Sequence, residues 1–190
     1  MQLTVRGKQF DVGEALRTHV QDSLEHILDK YFGDAIDVDV TFSREAHKVR
    51  AQIAAHVGRG IALDAQAEED RAYQAFDVAS SRLSTRLRRY KRRLRNHHKD
   101  PEPEIVPAQY FVLDSAPEED ETTTGDQPIV IAEMETPVLS LTVSEAVMRM
   151  DLADLPALLF RNRSHNGLNM VYRRPDGNIG WIDPADVLGE

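Results

Sequence analysis

The sequence contains no cysteine, which removes several kinds of chemistry at once. Disulfide bonds, thiolate nucleophiles and cysteine-ligated zinc are all excluded. No apolar run reaches the ~18 residues that a membrane span requires, and the first residues lack the basic-then-apolar pattern of a secretory signal. We therefore expect a cytoplasmic chain with no membrane partner, whose residues 2–6 form a strand.

Acidic side chains are missing from residues 82–99, and the neighbouring segment shows the opposite bias. The first tract carries nine Lys/Arg and no Asp/Glu, whereas residues 100–127 carry nine Asp/Glu and no Lys/Arg. The 190-residue chain has a formal net charge of −9. Because a polyanion responds to the local field of a patch rather than to the total charge, this distribution permits nucleic-acid binding.

Motifs that would indicate catalysis are also missing. The sequence shows no phosphate-binding glycine loop, no Ser-His-Asp arrangement and no metal-ligand cluster. The densest carboxylate group, Glu68-Glu69-Asp70, is more simply interpreted as the acidic first turn of a helix. We predict that the protein is not an enzyme and uses no cofactor, metal ion or small-molecule substrate.

Residues 1–99 show alternating strand and helix periodicities. A strand pattern near the N-terminus precedes a helical repeat of apolar residues that ends before Gly33. The strand patterns that follow are at residues 36–42, 49–57 and 61–67. A long helix then runs from about Asp70 to about His98. The order β-α-β-β-β-α predicts an α+β domain with an antiparallel sheet and both helices on one face.

Residues 100–127 differ in composition from the segments on either side. They contain four prolines and the acidic run 118–126. Like charges and prolines without apolar periodicity predict a linker. Residues 110–113, Tyr-Phe-Val-Leu, form a small apolar island inside it, and the sequence does not indicate where that island packs.

Residues 128–190 are interpreted as a second, small α+β domain. Ile129–Ile131 is a strand candidate, and Ser144 is the expected N-cap of a helix that reaches Met150. Three further strand patterns occupy residues 157–160, 168–173 and 179–182. A domain of about 63 residues buries only a marginal core, so self-association through a strand edge or an apolar face is expected.

The basic tract 82–99 continues the long helix. Apolar residues at spacings of three and four form one stripe that faces the core: Phe76, Ala79, Leu83, Leu87, Tyr90 and Leu94. One flank of this stripe carries Arg82, Arg86, Arg89 and Arg93. Because arginine pairs bidentately with phosphate, the tract predicts a phosphate-rich partner. The alternatives are a solvated helix face and a surface that binds the adjacent acidic linker.

These features resemble the family of ribosome hibernation promoting factors and ribosome-associated inhibitors, also called the sigma-54 modulation protein family. The N-terminal match rests on Val5-Arg6-Gly7, on residues 68–77 and on the Arg-Arg-Tyr-Lys core at residues 88–91. The C-terminal match rests on residues 144–150 and 171–180, which resemble the tail found only in the long form of the family. The N-terminal topology is also similar to that of double-stranded-RNA-binding domains.

The resemblance implies translational silencing by occupancy. Residues 1–99 would bind ribosomal RNA at the decoding region of the small ribosomal subunit and overlap messenger and transfer RNA. The RNA contacts implied on this chain are Lys8, Arg82, Arg86, Arg89, Lys91, Arg92 and Arg93. The C-terminal domain would form a homodimer that pairs ribosomes into inactive dimers in stationary or stressed cells. The implied dimer surface comprises Leu158, Phe160, Val171 and Tyr172.

Three other functions compete with this interpretation. A regulator that binds structured RNA away from the ribosome would recognise duplexes largely by shape. An RNA-processing enzyme would need residues 68–70 as magnesium ligands. An interaction protein that controls a transcription factor would form a complex that survives nuclease treatment.

Overall fold

A computed structural model describes residues 2–32, 36–57, 60–97, 102–114 and 129–184. The elements of the first domain are β1 (Gln2–Lys8), α1 (Glu14–Leu28), β2 (Ile36–Glu45), β3 (Lys48–Val57), β4 (Ile61–Glu69) and α2 (Ala72–His97). Those that follow are β5 (Ile105–Leu113), β6 (Val130–Leu141), α3 (Val143–Leu152), β7 (Ala157–Asn162), β8 (Leu168–Arg173) and β9 (Ile179–Ile182). The predicted α+β fold is confirmed. None of the described helices combines the length and the apolarity needed to cross a membrane.

The first sheet has the strand order β1-β2-β3-β4 and is mixed rather than fully antiparallel. β1 lies parallel to β2, with Val5 opposite Val40, whereas β2, β3 and β4 follow one another antiparallel. The predicted antiparallel arrangement is therefore wrong for the first pair. β1 and β2 are parallel because α1 connects them. A helical crossover returns the chain to the end of the sheet at which β1 began, so β2 runs in the same direction as β1. β1 and β4 form the two edges.

One face of this sheet is apolar, and α1 and α2 cover it. Buried and more exposed residues alternate along β3 and β4, as expected for strands with one face against a core. The side chains that α2 contributes to this core include Phe76, Ala79, Leu83, Leu87 and Tyr90. They confirm the predicted stripe, except that the Leu94 side chain lies outside the described part. This packing sets the direction in which the basic side chains of α2 point.

The second sheet has the strand order β5-β6-β7-β8-β9. Its first strand lies inside residues 100–127, so the structure corrects the linker prediction at Ile105–Leu113. The apolar island belongs to this strand, where Tyr110 lies opposite Met134 of β6. β-branched and aromatic side chains favour a paired strand, and the long β6 supplies the partner. The acidic run 118–126 lies outside the described residues.

Helix α3 begins with a capping box at Thr142 rather than at the predicted Ser144. The Glu145 backbone N–H donates to Thr142 Oγ1 at 3.2 Å, and the Thr142 N–H donates to Glu145 Oε2 at 2.7 Å. This exchange satisfies two backbone donors that the helix leaves without partners. One side of α3, including Ala146 and Met150, packs on the second sheet.

The other side of α3 packs on the first domain. Met148 and Leu152 are fully buried in the same apolar cluster as α1 and α2. Between them, the Arg149 guanidinium donates to the Gly60 carbonyl, and burial lowers the pKa of Arg149. The two sheets are therefore joined through α3.

Candidate nucleic-acid interface and pairing surface

The basic side chains of α2 point in three directions around the helix. The flank beside β4 carries Arg82, Arg86, Arg89 and Arg93. Lys91 lies toward α1, with its Nζ 5.9 Å from the centroid of the Tyr31 ring. Arg88 and Arg92 are exposed and point away from the core. The single basic tract of the sequence is thus divided into surfaces with different neighbours.

Arg82 and Arg86 are anchored on the edge of the first sheet. Arg82 Nη1 donates to the carbonyl oxygen of Gln66, and Arg86 Nη1 donates to that of Asp64, each at 2.6 Å. Both acceptors lie on β4, an edge strand whose outward carbonyls have no neighbouring strand. The two arginines therefore hold α2 on the sheet edge. Sequence reasoning missed this role because nothing in the sequence identifies β4 as an edge.

An open cleft of about 310 Å³ lies beside Arg82 and is lined by Arg50, Gln66, Ala67, Glu68 and Arg82. Arg50 Nε donates to Glu68 Oε1 at 2.8 Å, and this hydrogen bond raises the pKa of Arg50. Glu68 and Glu69 belong to β4, which corrects their interpretation as a first helical turn. Within the described ranges, no three His, Cys, Asp or Glu side chains are grouped so as to hold a metal ion.

The exposed part of the basic tract lies toward the C-terminal end of α2. It consists of Arg88, Arg89, Lys91, Arg92 and Arg93. The guanidinium carbons of Arg89 and Arg93 each lie 5.5 Å from the centroid of the Tyr90 ring, an arrangement suited to cation–π attraction. Tyr90 is buried and holds both side chains close together. These side chains can pair with several phosphates around the C-terminal end of α2.

Lys8 is exposed but lies away from this surface. It is the last residue of β1, at the edge opposite β4, and it pairs across the strands with Ser43. The same cross-strand row continues through Arg50 to Glu68, close to the start of α2. The structure therefore does not bring Lys8 together with the exposed arginines.

The second domain covers part of the basic flank. Arg86 Nη2 lies 2.6 Å from Asp154 Oδ1, and Arg89 Nη1 lies 3.9 Å from Asp151 Oδ2. Burial, followed by interaction with the Asp151 carboxylate, raises the pKa of Tyr90. Neither aspartate follows a motif, so the sequence gives no signal that they meet the basic helix.

The predicted dimer residues lie on two faces of the second sheet. Phe160 and Val171 are fully buried against α3, and Leu158 packs beside them. Their side chains face the domain's own core and are not available to a second chain in this arrangement. Tyr172 alternates with Val171 and lies on the opposite, outer face. Of the four predicted residues, Tyr172 is therefore the one on the outer face, while Phe160 and Val171 face the core.

The outer face of the second sheet carries exposed apolar side chains in two places, on β7 to β9 and on the β5-β6 hairpin. Its apolar side chains include Tyr110, Met134, Leu159, Leu168, Met170, Tyr172 and Ile182. Leu159 and Leu168 are 47% and 53% exposed, which is unusual for leucines in a sheet. Arg161 also lies on this face and pairs with Glu104 at 3.8 Å. Exposed apolar side chains grouped on β7 to β9 are typical of an interaction site.

Two family models match the chain. Residues 3–95 match the model described as Sigma 54 modulation protein / S30EA ribosomal protein. Residues 125–180 match Sigma 54 modulation/S30EA ribosomal protein C terminus. The chain belongs to this family. The match confirms the family resemblance of the sequence, in both the N-terminal and the C-terminal segments.

Similar proteins within the family align over nearly the whole chain. The Ribosome hibernation promotion factor of Rhizobium meliloti (strain 1021) is 37% identical over 188 residues, covering 98% of this chain and 99% of the relative. The protein of the same name from Bradyrhizobium diazoefficiens is 38% identical over 192 residues, covering 97% and 95%. Among solved structures, the Thermus thermophilus Protein Y N-terminal domain is 26% identical with a TM-score of 0.43, covering 47% of this chain and 99% of that one.

Proposed function

We propose that this protein is a ribosome hibernation factor that acts in the cytoplasm. It binds the small ribosomal subunit at the decoding region and keeps messenger and transfer RNA out by occupying their place. The observation that carries the proposal is the exposed, acid-free cluster of arginines and lysine on α2. The names of the two near full-length relatives point to the same activity.

The basic surface suits ribosomal RNA because it is both charged and rigid. The stripe of buried residues locks α2 on the sheet, so few backbone degrees of freedom are lost on binding. Arg89, Arg92 and Arg93 would pair with backbone phosphates, and Lys91 would add a point charge on the other flank. Arg82 and Arg86 would contribute near the sheet edge, and Lys8 would meet a separate segment of RNA. Such binding would exclude messenger and transfer RNA from the decoding region without any catalytic step.

The second domain would pair two copies of the chain. The outer face of its sheet offers exposed apolar side chains from β5 to β9, which is the chemistry of an interface between identical subunits. Tyr172 lies within this face, while Phe160 and Val171 support it from the core side. A ribosome on each N-terminal domain would then be held in an inactive pair.

Sedimentation of purified ribosomes through sucrose gradients with the full chain tests this proposal. We expect the protein to travel with the small subunit and to shift ribosomes into a dimer-sized peak. An excess of generic duplex RNA should not displace the protein from the subunit. A generic duplex is recognised largely by its A-form shape, whereas the site on the small subunit is a specific arrangement of ribosomal RNA. Displacement by any duplex would instead favour a regulator of structured RNA, and no co-sedimentation would remove the ribosome as the target.

A further inference from the structure

We propose that the second domain is an intramolecular competitor of RNA. In the free chain, Asp154 and Asp151 occupy Arg86 and Arg89, and binding to RNA requires this closed contact to open. The inference rests on the proposed function, because it assumes that the basic flank of α2 meets RNA. The charge map offered only the acidic linker as an intramolecular partner of this surface, whereas the structure identifies Asp151 and Asp154 of the second domain.

The charged contact places carboxylates where phosphates would bind. Both terminal nitrogens of Arg86 are committed, Nη1 to the Asp64 carbonyl and Nη2 to the Asp154 carboxylate. A carboxylate and a phosphate oxygen compete for the same fork of a guanidinium, so the two cannot pair with it in the same geometry. Arg89 retains 69% exposure of its side chain and pairs with Asp151 at 3.9 Å, so it is only partly engaged.

The apolar contact makes the closed state more than an exposed ion pair. Met148 and Leu152 of α3 are buried with the core of the first domain, beside the hydrogen bond from Arg149 to the Gly60 carbonyl. A domain that docks in this way also covers the surface of β4 and α2 around it. RNA approaching Arg86 therefore meets protein, whereas Arg89 stays largely exposed beside it.

The connection between the domains makes a weak contact sufficient. α2 ends at His97 and β5 begins at Ile105, so a short segment links them. A short tether raises the effective concentration of one domain at the other to the millimolar range. The closed state can therefore be well populated and still yield to a ribosomal surface that supplies many phosphates. The apparent association constant for RNA then equals the intrinsic constant multiplied by the fraction of chains in the open state.

Two labels on the full chain report opening directly. Because the sequence has no cysteine, Ala15→Cys on α1 and Ala157→Cys on β7 give two specific sites for a donor and an acceptor dye. Both alanines are exposed. We expect the transfer efficiency to fall when the chain is saturated with ribosomes. An efficiency that stays unchanged at saturation would overturn the proposal, because the domains would then remain docked on RNA.

Asp154→Asn tests the acidic contact with Arg86, although Asp154 also lies 3.6 Å from Arg173 of its own domain. The substitution removes one charge, and asparagine tolerates the backbone φ of 53° at this position as aspartate does. Glu135→Gln on the exposed hairpin removes the same charge from the same domain and is the matched control. We expect Asp154→Asn to bind ribosomes about three- to fivefold more tightly than wild type, and the control to bind as wild type does. Equal affinity of the two variants would overturn the competition.

Failure of the proposed function has a different signature. In that case neither wild type nor Asp154→Asn co-sediments with ribosomes, while the transfer efficiency without ribosomes still differs between them. A competition with RNA would then be excluded together with the RNA site. If both proteins bind equally well and the efficiency falls equally on binding, the domains open but Asp154 does not control them, which also contradicts the proposal.

Discussion

Arg86 of α2 and Asp154, just beyond α3, form an ion pair across the two domains, with Nη2 and Oδ1 2.6 Å apart. The same guanidinium donates to the Asp64 carbonyl on the edge strand β4. Arg86 is therefore shared between the sheet edge, the second domain and the predicted RNA surface. This sharing explains why the arginines of one helical tract should not contribute equally to binding.

Charge reversal at the exposed end of α2 should remove ribosome binding. Arg92→Glu with Arg93→Glu replaces two cations that have no anchoring hydrogen bond to β4, so the fold should persist. Each lost charged contact costs about 1.5–3 kcal/mol. The control, Arg44→Glu with Arg71→Glu, makes the same charge change at exposed positions away from the cluster. Co-sedimentation of the first variant at wild-type levels would exclude this surface.

The salt dependence of binding should reflect the smaller set of free cations. Five phosphate contacts, by Arg86, Arg89, Lys91, Arg92 and Arg93 once the domains have opened, predict a log–log slope of roughly −3.5 to −4.5. Equilibrium binding to small subunits over a range of salt concentrations measures this slope. The proposed opening frees Arg86 in wild type and in Asp154→Asn alike, so the two slopes should agree. A steeper slope in Asp154→Asn would mean that wild type binds RNA with the two domains still docked.

Leu159→Lys should separate pairing from RNA binding. The side chain lies on the outer face of the second sheet and is 47% exposed, so its replacement should leave the domain folded. Truncation or charging of a central interface residue costs about 2 kcal/mol, so the dimer dissociation constant should rise more than tenfold. Leu155→Lys, at an exposed leucine between α3 and β7, is the control. Analytical ultracentrifugation distinguishes the two, and unchanged pairing in Leu159→Lys would move the interface elsewhere.

Phe160→Ala should act on stability rather than on pairing alone. Its ring is fully buried against α3, and removing a buried phenylalanine side chain costs about 3–5 kcal/mol. Chemical denaturation should therefore show an early transition of the second domain at a protein concentration where Leu159→Lys unfolds normally. A stably folded monomer of Phe160→Ala would mean that the side chain serves the interface directly.

Asp64 and Asp176 should respond to pH in opposite directions. Burial raises the pKa of Asp64, with a further contribution from Asp154, while the hydrogen bond from Gln52 and the Arg86 charge oppose it. The folded state then holds a proton that the unfolded state releases, so stability is lost as the pH rises through the folded pKa. Asp64→Asn should therefore stabilise the protein near neutral pH, and this gain should vanish in acid.

The carboxylate with a lowered pKa is Asp176, in the turn between β8 and β9. The backbone N–H of Asn178 donates to Asp176 Oδ1, and this hydrogen bond, followed by that from Arg174, lowers the pKa of Asp176. The stability that this carboxylate supplies is present at neutral pH and is lost as the pH falls through its folded pKa. Asp176→Asn should therefore destabilise the protein at neutral pH and lose its effect in acid. Urea unfolding at several pH values measures both variants, and parallel trends would contradict these assignments.

The sequence by itself determined the elements that follow from local periodicity. The apolar stripe that includes Leu83 and Leu87 recurs every three or four residues, and a helix is the structure that brings such residues to one side. The strands of the first sheet, β7 to β9 of the second and the acid-free character of α2 were predictable for the same reason, because each depends on residues close in the chain. β5 was not predicted, because its prolines and acidic surroundings favoured a linker. The family resemblance also followed from short segments of sequence.

Tertiary structure alone decided which of these residues remain free to bind. Arg82 and Arg86 look equivalent to Arg93 in the sequence, but they meet the carbonyls of an edge strand, and Arg86 also meets Asp154. Likewise, α3 packs on one side of the second sheet, so Phe160 on that side is buried while Tyr172 lies on the outer face. These outcomes depend on contacts between segments far apart in the chain, and local pattern carries no information about which distant surface an element will meet.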